Sequence, residues 1–233
     1  MGPGVVETER VVLPGPPGSY SRGGVSATSP PACGESHAPK FPSVVGTRRV
    51  NYVAQGDSRT AGLYLDGGPD RAYPALAGIL SGSGVVVTNR AVPGATVASM
   101  VAVDVDPLYN PGADANVLTI QIGVNDLRSK PSAPVVSSIE SSLATYGGAR
   151  LARGWRVYVV VDLPCAALED EATWNEWVAF EESSPGSWST GVIGSRGEFE
   201  QSLDPAWFVD GLHPSENKHV EEAVLVAGVL VAL

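Results

Sequence analysis

The chain has 233 residues, of which 43% are hydrophobic and 17% charged, and its formal net charge is −10. This length fits one large domain with a sizeable core, and the hydrophobic fraction excludes a chain that is disordered throughout. The acidic balance disfavours nucleic-acid binding and docking on anionic membranes, because both need clustered Lys and Arg. It favours solubility and leaves a cationic partner open.

Residues 1–46 differ in composition from the rest of the chain. Pro, Gly and Ser crowd the stretch from Val12 to Pro42, and few large apolar side chains interrupt them. Proline removes a backbone donor and glycine raises the entropic cost of ordering. We expect a disordered or loosely draped arm that leaves room for partner binding, with an irregular strap along the domain surface as the alternative.

The sequence carries no membrane-spanning or targeting pattern. The longest apolar run, residues 223–233, is shorter than the ~20 residues that a membrane-spanning helix needs. The N-terminus lacks a basic start followed by an apolar block, so we expect no secretory signal and place the protein in the cytoplasm by default. Cys33 and Cys165 lie far apart and no Cys/His cluster has zinc spacing. We therefore expect two free thiols and no metal.

From Arg48 onward, short β-branched runs alternate with segments of helical periodicity. In chain order the sequence predicts strands at 50–54, 84–89, 117–122, 155–162 and 191–195, interleaved with helices at 73–80, 95–103, 132–146, 169–182 and 215–232. This alternation predicts β-α-β crossovers, and hence a three-layer α/β domain over residues 47–233 with a parallel sheet at its centre. Functional sites in such sheets lie at the carboxyl ends of the strands.

Three successive strand ends carry residues suited to acyl chemistry. Gly56-Asp57-Ser58 follows the first strand, where a tight turn exposes a serine hydroxyl near the N–H groups of a helix start. Gly94 follows the second strand and can bring a backbone N–H close to a ligand. Asn125 follows the third, where a side-chain amide can donate to a developing oxyanion. Taken singly, each is better interpreted as an ordinary turn or cap.

A late Asp-x-x-His element precedes the last predicted helix. Asp210 lies three residues before His213, a spacing at which the carboxylate can bond one ring nitrogen and fix the tautomer. The other ring nitrogen is then available as a base. The alternative is a surface histidine beside an aspartate that starts a helix.

Taken together and in this order, the four blocks over about residues 50–232 resemble the SGNH hydrolase superfamily, also called GDSL esterases/lipases. The resemblance implies a flavodoxin-like sheet of order 2-1-3-4-5. It implies that Ser58 is the nucleophile, His213 the general base and then acid, and Asp210 the residue that orients His213. It also implies an oxyanion hole from the backbone N–H groups of Ser58 and Gly94 and the side chain of Asn125, with no metal or organic cofactor.

Some neighbouring residues depart from the family pattern or have two interpretations. Arg59 stands where the family motif has Leu, and it either binds an acidic substrate group or points along its helix to solvent. Asp57 and Asp126 adjoin the proposed catalytic positions, and we interpret them as turn formers. Lys218 stands where the family often has Gly, and we interpret the following His219 as structural.

Aromatic residues recur at helical spacing within the predicted helix at 169–182. Trp174, Trp177 and Phe180 share one face of that helix. The face either packs on the sheet or forms the aromatic wall of a substrate cleft, where Trp174 and Trp177 would stack on a sugar.

The resemblance implies a serine esterase that acts on a small-molecule or carbohydrate ester. The chain has no obvious long lid or lipid-binding insertion, which favours short acyl groups such as acetyl on a carbohydrate. A thioesterase or a lysophospholipase would use the same residues and stays an alternative. So does a non-catalytic binding or assembly module that kept the fold. The sequence does not indicate an oligomeric state.

Overall fold

The structure is a computed structural model that describes residues 48–128, 131–161, 171–194 and 207–233. The predicted arm at 1–46 and the two cysteines, Cys33 and Cys165, lie outside these ranges. Within them, no helix combines the length and apolar character that crossing a membrane requires.

Five parallel strands form a single sheet in the order β2-β1-β3-β4-β5. This order confirms the one that the family resemblance implied. The strands are β1 Val50–Gly56, β2 Val85–Asn89, β3 Ala115–Gln121, β4 Arg156–Val160 and β5 Gly191–Ile193. Every residue of β1 and β3 is buried, which fits two central strands covered on both faces and explains their lack of polar alternation.

Helices connect the strands and cover the sheet on both sides. They are α1 Ser58–Ala61, α2 Tyr73–Ser81, α3 Val97–Val101, α4 Val124–Leu127, α5 Ala133–Ala152, α6 Glu171–Glu182 and α7 Glu216–Ala232. Short 3₁₀ turns lie at Gly68–Arg71 and Asp106–Leu108.

The buried apolar side chains divide into two cores, one on each face of the sheet. Val53 and Leu118 point into the core that α3, α5 and α6 complete. Tyr52 and Val117, their neighbours along the same strands, point into the core of α2 and α7. Successive strand residues face opposite sides, so these two cores are the two outer interfaces of a three-layer domain.

Two helices, α3 and α5, differ most from their predicted bounds. The helix predicted at 95–103 is shorter in the structure, where Thr96 caps the N-terminus of α3. The Thr96 hydroxyl accepts from the backbone N–H of Ser99, and the Ser99 hydroxyl accepts from the backbone N–H of Thr96. The predicted helix at 132–146 continues to Ala152 as α5. Gly147 does not end it but lets Trp188 approach, since a Cβ there would lie 2.5 Å from the Trp188 carbonyl oxygen.

Candidate active site

A tight turn between β1 and α1 presents Ser58. A Cβ at Gly56 would lie 2.3 Å from Thr60 Oγ1 and 2.4 Å from the Gln121 carbonyl oxygen, so only glycine lets the chain turn this sharply. Asp57 caps α1 by accepting a backbone N–H of its first turn. Asp57 is thus a turn former, as predicted, and Ser58 is the first residue of the helix.

Three side chains form one hydrogen-bonded row. His213 Nε2 lies 2.9 Å from Ser58 Oγ, and His213 Nδ1 lies 2.8 Å from Asp210 Oδ2. An ionised carboxylate only accepts hydrogen bonds. His213 Nδ1 therefore carries the ring proton, and this N–H donates a hydrogen bond to Asp210. Nε2 is then free to accept the Ser58 hydroxyl proton.

The second carboxylate oxygen of Asp210 fixes the loop that carries His213. Asp210 Oδ1 accepts from the backbone N–H of Leu212 at 3.0 Å and of His213 at 2.8 Å. Burial by itself would raise the pKa of the Asp210 carboxyl, but the hydrogen bonds from His213 and Leu212 bring it below its usual value of 3.8. The carboxylate is therefore ionised at neutral pH and stabilises a protonated His213.

The predicted oxyanion residues lie at the carboxyl ends of β2 and β3. Gly94 has a φ of 78°, a conformation that favours glycine, and lies exposed in the loop after β2. Asn125 Nδ2 donates to the Ala95 carbonyl at 2.9 Å, and Asp126 Oδ2 accepts from the Val97 N–H at 3.0 Å. Two consecutive residues of α4 thus hold the Gly94 loop beside the end of β3.

The burial of Arg59, Trp174 and Trp177 disagrees with their predicted substrate contacts. Arg59 and Trp177 are fully buried and Trp174 is 5% exposed, so none of them forms the wall of an open cleft. The alternative for Arg59, that it points along its helix to solvent, is wrong for the same reason. Trp177 packs instead behind the α4 turn, where a Cβ at Gly123 would lie 2.5 Å from its ring. The aromatic face of α6 is a core face, which was the alternative interpretation.

Sequence reasoning missed Tyr64, which lies beside the predicted base. Its ring meets the His213 imidazole edge to face, with centroids 4.9 Å apart and planes at 79°. The side chain is 62% exposed, and its φ of 69° is the only positive value at a non-glycine residue in the described ranges. Such a conformation costs on the order of 1–3 kcal/mol and is concentrated at functional sites. A lone tyrosine in a glycine-rich loop gives no sequence signal for it.

A buried polar network also went unpredicted, and it lies directly behind α1. Thr60 Oγ1 donates to Gln121 Oε1 at 3.0 Å, and Gln121 Nε2 donates to Glu222 Oε1 at 3.1 Å. Nearby, His219 Nδ1 accepts the Tyr73 backbone N–H at 3.3 Å. Burial lowers the pKa of His219 to about 4, so it is neutral at pH 7. Its structural interpretation agrees with this placement.

The described part of the chain holds no cluster of three or more His, Cys, Asp or Glu side chains suited to a metal ion. The Ser58–His213–Asp210 row and Asn125 together provide a hydroxyl, an imidazole, a carboxylate and an amide. These are the groups that nucleophilic acyl transfer uses.

Comparison with known proteins agrees with this arrangement. Residues 54–219 match the family described as GDSL-like Lipase/Acylhydrolase family. A comparison with curated protein sequences found no match.

Solved structures of lipolytic proteins and of an esterase share the fold. A lipolytic protein of the G-D-S-L family from Veillonella parvula DSM 2008 superposes with a TM-score of 0.62 at 17% identity, over 79% of this chain and 100% of that one. A lipase/acylhydrolase from Enterococcus faecalis gives 0.62 at 19% identity, over 78% and 95%. A catalytic mutant of an acetylxylan esterase from Geobacillus stearothermophilus gives 0.57 at 17% identity, over 78% and 92%.

The family match extends from β1 into α7 and includes all four sequence blocks. The sheet order and the Ser58–His213–Asp210 row are what the resemblance to this family led us to expect. The chain belongs to the GDSL-like lipase/acylhydrolase family, and it is an ester-hydrolysing enzyme.

Proposed function

We propose that the protein is a serine esterase that cleaves carboxylic esters of short acyl groups through an acyl-enzyme intermediate. The observation that carries this proposal is the unbroken hydrogen-bonded row from Ser58 Oγ through the His213 ring to Asp210. The row stands at the carboxyl edge of the sheet, where Ser58 directly follows β1.

In the proposed reaction, Ser58 Oγ attacks the ester carbonyl carbon while His213 Nε2 takes the hydroxyl proton. Asp210 stabilises the imidazolium that results. The tetrahedral intermediate then collapses, and His213 donates the proton to the leaving alcohol. A water molecule attacks the acyl-enzyme with His213 again as the base, which releases the acid and restores Ser58.

The proposed oxyanion hole consists of the backbone N–H groups of Ser58 and Gly94 and the Asn125 amide. The Ser58 N–H belongs to the first turn of α1, where backbone donors have no partner within the helix. One Asn125 N–H bonds the Ala95 carbonyl, which orients the amide and leaves its second N–H for a ligand. A donor of this kind contributes about 10²–10³-fold to kcat in serine hydrolases.

For the substrate we propose an acetyl or similarly short ester of a carbohydrate. The exposed ring of Tyr64 next to His213 supports this choice, because aromatic faces stack on sugar rings. The acetylxylan esterase among the structural neighbours also supports it.

The proposal is tested with 4-nitrophenyl esters from acetate to decanoate and with acetylated xylooligosaccharides. We expect the highest kcat/KM at two to four carbons and at least a 10³-fold loss in Ser58→Ala. Ser142→Ala, an exposed serine on α5, is the matched control and keeps wild-type activity. A maximum at eight carbons or more would favour a thioesterase or lysophospholipase, since each buried CH₂ contributes ~0.8 kcal/mol. Absence of turnover with every ester would leave a binding module.

A further inference from the structure

The proposed base and the carboxylate that orients it lie on one short loop, residues 207–215, which we call the His213 hairpin. Near its outer end, the Val209 N–H donates to the His213 carbonyl at 2.8 Å. At its base, the Ser215 N–H donates to the Trp207 carbonyl at 2.8 Å. Ser215 is also the N-cap of α7, so Trp207 stands where the hairpin joins the last helix.

A buried cation lies at the base of this hairpin. The Lys218 ammonium, in the first turn of α7, is 4.8 Å from the centroid of the Trp207 ring. This distance is within the range of a cation–π interaction, in which a positive charge is attracted to the face of an aromatic ring. Lys218 Nζ also donates to Glu221 Oε2 at 2.6 Å, one turn further along the helix. Lys218 is 1% exposed, so its contact with the ring is shielded from water.

A positive charge is costly at this position. The first turn of a helix disfavours cations, because the macrodipole is positive there. Burial adds a desolvation cost, and the Glu221 side chain is 48% exposed, a setting in which an ion pair contributes little. Methionine has a similar length and would fill the same space without a charge. The attraction to the Trp207 ring distinguishes lysine from methionine at residue 218.

A displacement of Trp207 would reach the proposed catalytic row through the backbone. Phe208, its neighbour, pairs with Pro214 in an antiparallel bridge, and Pro214 directly follows His213. The Asp210 side chain, at the outer end of the hairpin, is 42% exposed, so solvent surrounds much of it. The place of the His213 ring therefore depends on how the base of the hairpin is held.

We propose that Lys218 is a positioning residue for the proposed reaction. By holding the Trp207 ring, it keeps the His213 hairpin where His213 Nε2 lies 2.9 Å from Ser58 Oγ. The inference rests on the proposed function, because this distance affects turnover only if Ser58 is the nucleophile. A misplacement of about 1 Å in such a row lowers the rate on the order of 10²-fold. Loss of the ring contact alone, with the backbone hydrogen bonds intact, should therefore lower kcat about tenfold.

Removal of the charge tests this role. Lys218→Met should lower kcat on an aryl acetate about tenfold and leave KM within about twofold, with no loss of stability in urea titrations. Trp207→Leu should lower kcat by a similar factor, whereas Trp207→Phe keeps a ring face and should recover most of it. Because the two side chains act through one contact, the double variant Lys218→Met/Trp207→Leu should lower kcat no further than either change alone. Wild-type kcat in Lys218→Met, or losses that multiply in the double variant, would overturn the inference.

Two control variants separate the ring contact from other roles of α7. Glu221→Gln removes the ion pair but keeps the ring contact, and its kcat should stay within about twofold of the wild type. Val226→Ala opens a cavity in the core two turns after Lys218, so it should lower stability and keep wild-type kcat. A tenfold loss of kcat in either control would overturn the inference, because the loss would then follow the ion pair or the general stability of the helix.

Exchange of the His213 Nδ1 proton with water separates this inference from the proposed function. The proton is observed by NMR in protein labelled with ¹⁵N-histidine, and His213→Asn identifies its signal. We expect exchange to be at least tenfold faster in Lys218→Met than in the wild type or Glu221→Gln. Faster exchange without turnover of any ester would keep the positioning role and reject the esterase. Turnover with kcat and exchange both unchanged in Lys218→Met would keep the esterase and reject the positioning role.

Discussion

The Trp177 indole fills the space into which any side chain at residue 123 would project. A Cβ built on Gly123 would lie 2.5 Å from ring atom Cε2, and the φ of 137° at this glycine is itself unfavourable for other residues. The turn from β3 into α4 therefore requires glycine at position 123, where the backbone packs directly against the Trp177 ring. Asn125 lies two residues further along, so its place at the strand end depends on this contact.

Gly123→Ala should lower activity as well as stability. The added methyl group must displace either the Trp177 ring or the α4 turn, and the backbone strain alone costs on the order of 1–3 kcal/mol. We expect kcat on an aryl acetate to fall about 10–100-fold because Asn125 moves. Gly148→Ala is the control: a Cβ there meets nothing within 4 Å in mid-helix, so stability should rise by about 0.5–1 kcal/mol. Wild-type kcat in Gly123→Ala would disprove the link to Asn125.

The sequence could predict the sheet and the row at its edge because each depends on local pattern. Short β-branched runs identified the strands. Ser58 and Asn125 follow strand ends, and His213 lies just before the last helix. Which surface each helix face packs against depends instead on tertiary structure. Spacing alone put Trp174 and Trp177 on one face and did not say that the face is buried.

Other features had no local signal at all. The left-handed backbone of Tyr64 and the close fit of Gly147 against Trp188 have no counterpart in the local sequence pattern. The prediction for residues 1–46 lies outside the described ranges and stays a prediction.

Tyr64 should contribute to substrate binding at the expense of stability. Tyr64→Ala removes the ring but keeps the unfavourable backbone, whereas Tyr64→Gly removes the ring and relieves the strain. Both variants should raise KM for acetylated oligosaccharides about three- to tenfold with little change in kcat. Tyr64→Gly should be the more stable of the two by about 1 kcal/mol in urea titrations. Equal stability would mean that the φ of 69° stores no strain, and an unchanged KM would remove Tyr64 from the substrate site.

The burial of His219 should make the fold sensitive to acid. The folded-state pKa is lowered to about 4 from 6.5, so the unfolded chain binds the proton more readily. The resulting stability is fully present above pH 6.5 and is lost as the pH falls toward 4, by roughly 3 kcal/mol in total. His219→Asn keeps an acceptor for the Tyr73 N–H and removes the titration. Its stability at pH 7 relative to pH 4.5 should vary less than the wild type's in urea titrations, and an identical pH dependence would contradict the assignment.

Gln121 should stabilise the fold by linking α1, which begins at Ser58, to the last helix, α7. Gln121→Leu leaves the Thr60 hydroxyl without its acceptor and takes one donor from Glu222, which should cost about 2–3 kcal/mol. Thr60→Val removes only the hydroxyl and should cost about 1–2 kcal/mol. Because the two side chains share one hydrogen bond, the double variant should be more stable than the sum of the two losses predicts, by at least 0.5 kcal/mol. Strict additivity in urea titrations would show that the bond contributes nothing.

Covalent labelling tests the central claim, that Ser58 is a nucleophile activated by His213, more directly than any rate does. A 4-nitrophenyl alkylphosphonate is incubated with the protein, and intact and peptide masses are measured. The account predicts one adduct per chain, located on Ser58. It predicts no adduct in Ser58→Ala and slowing of at least 10²-fold in His213→Ala. An adduct on another serine, or labelling of Ser58 at the same rate in His213→Ala, would contradict it.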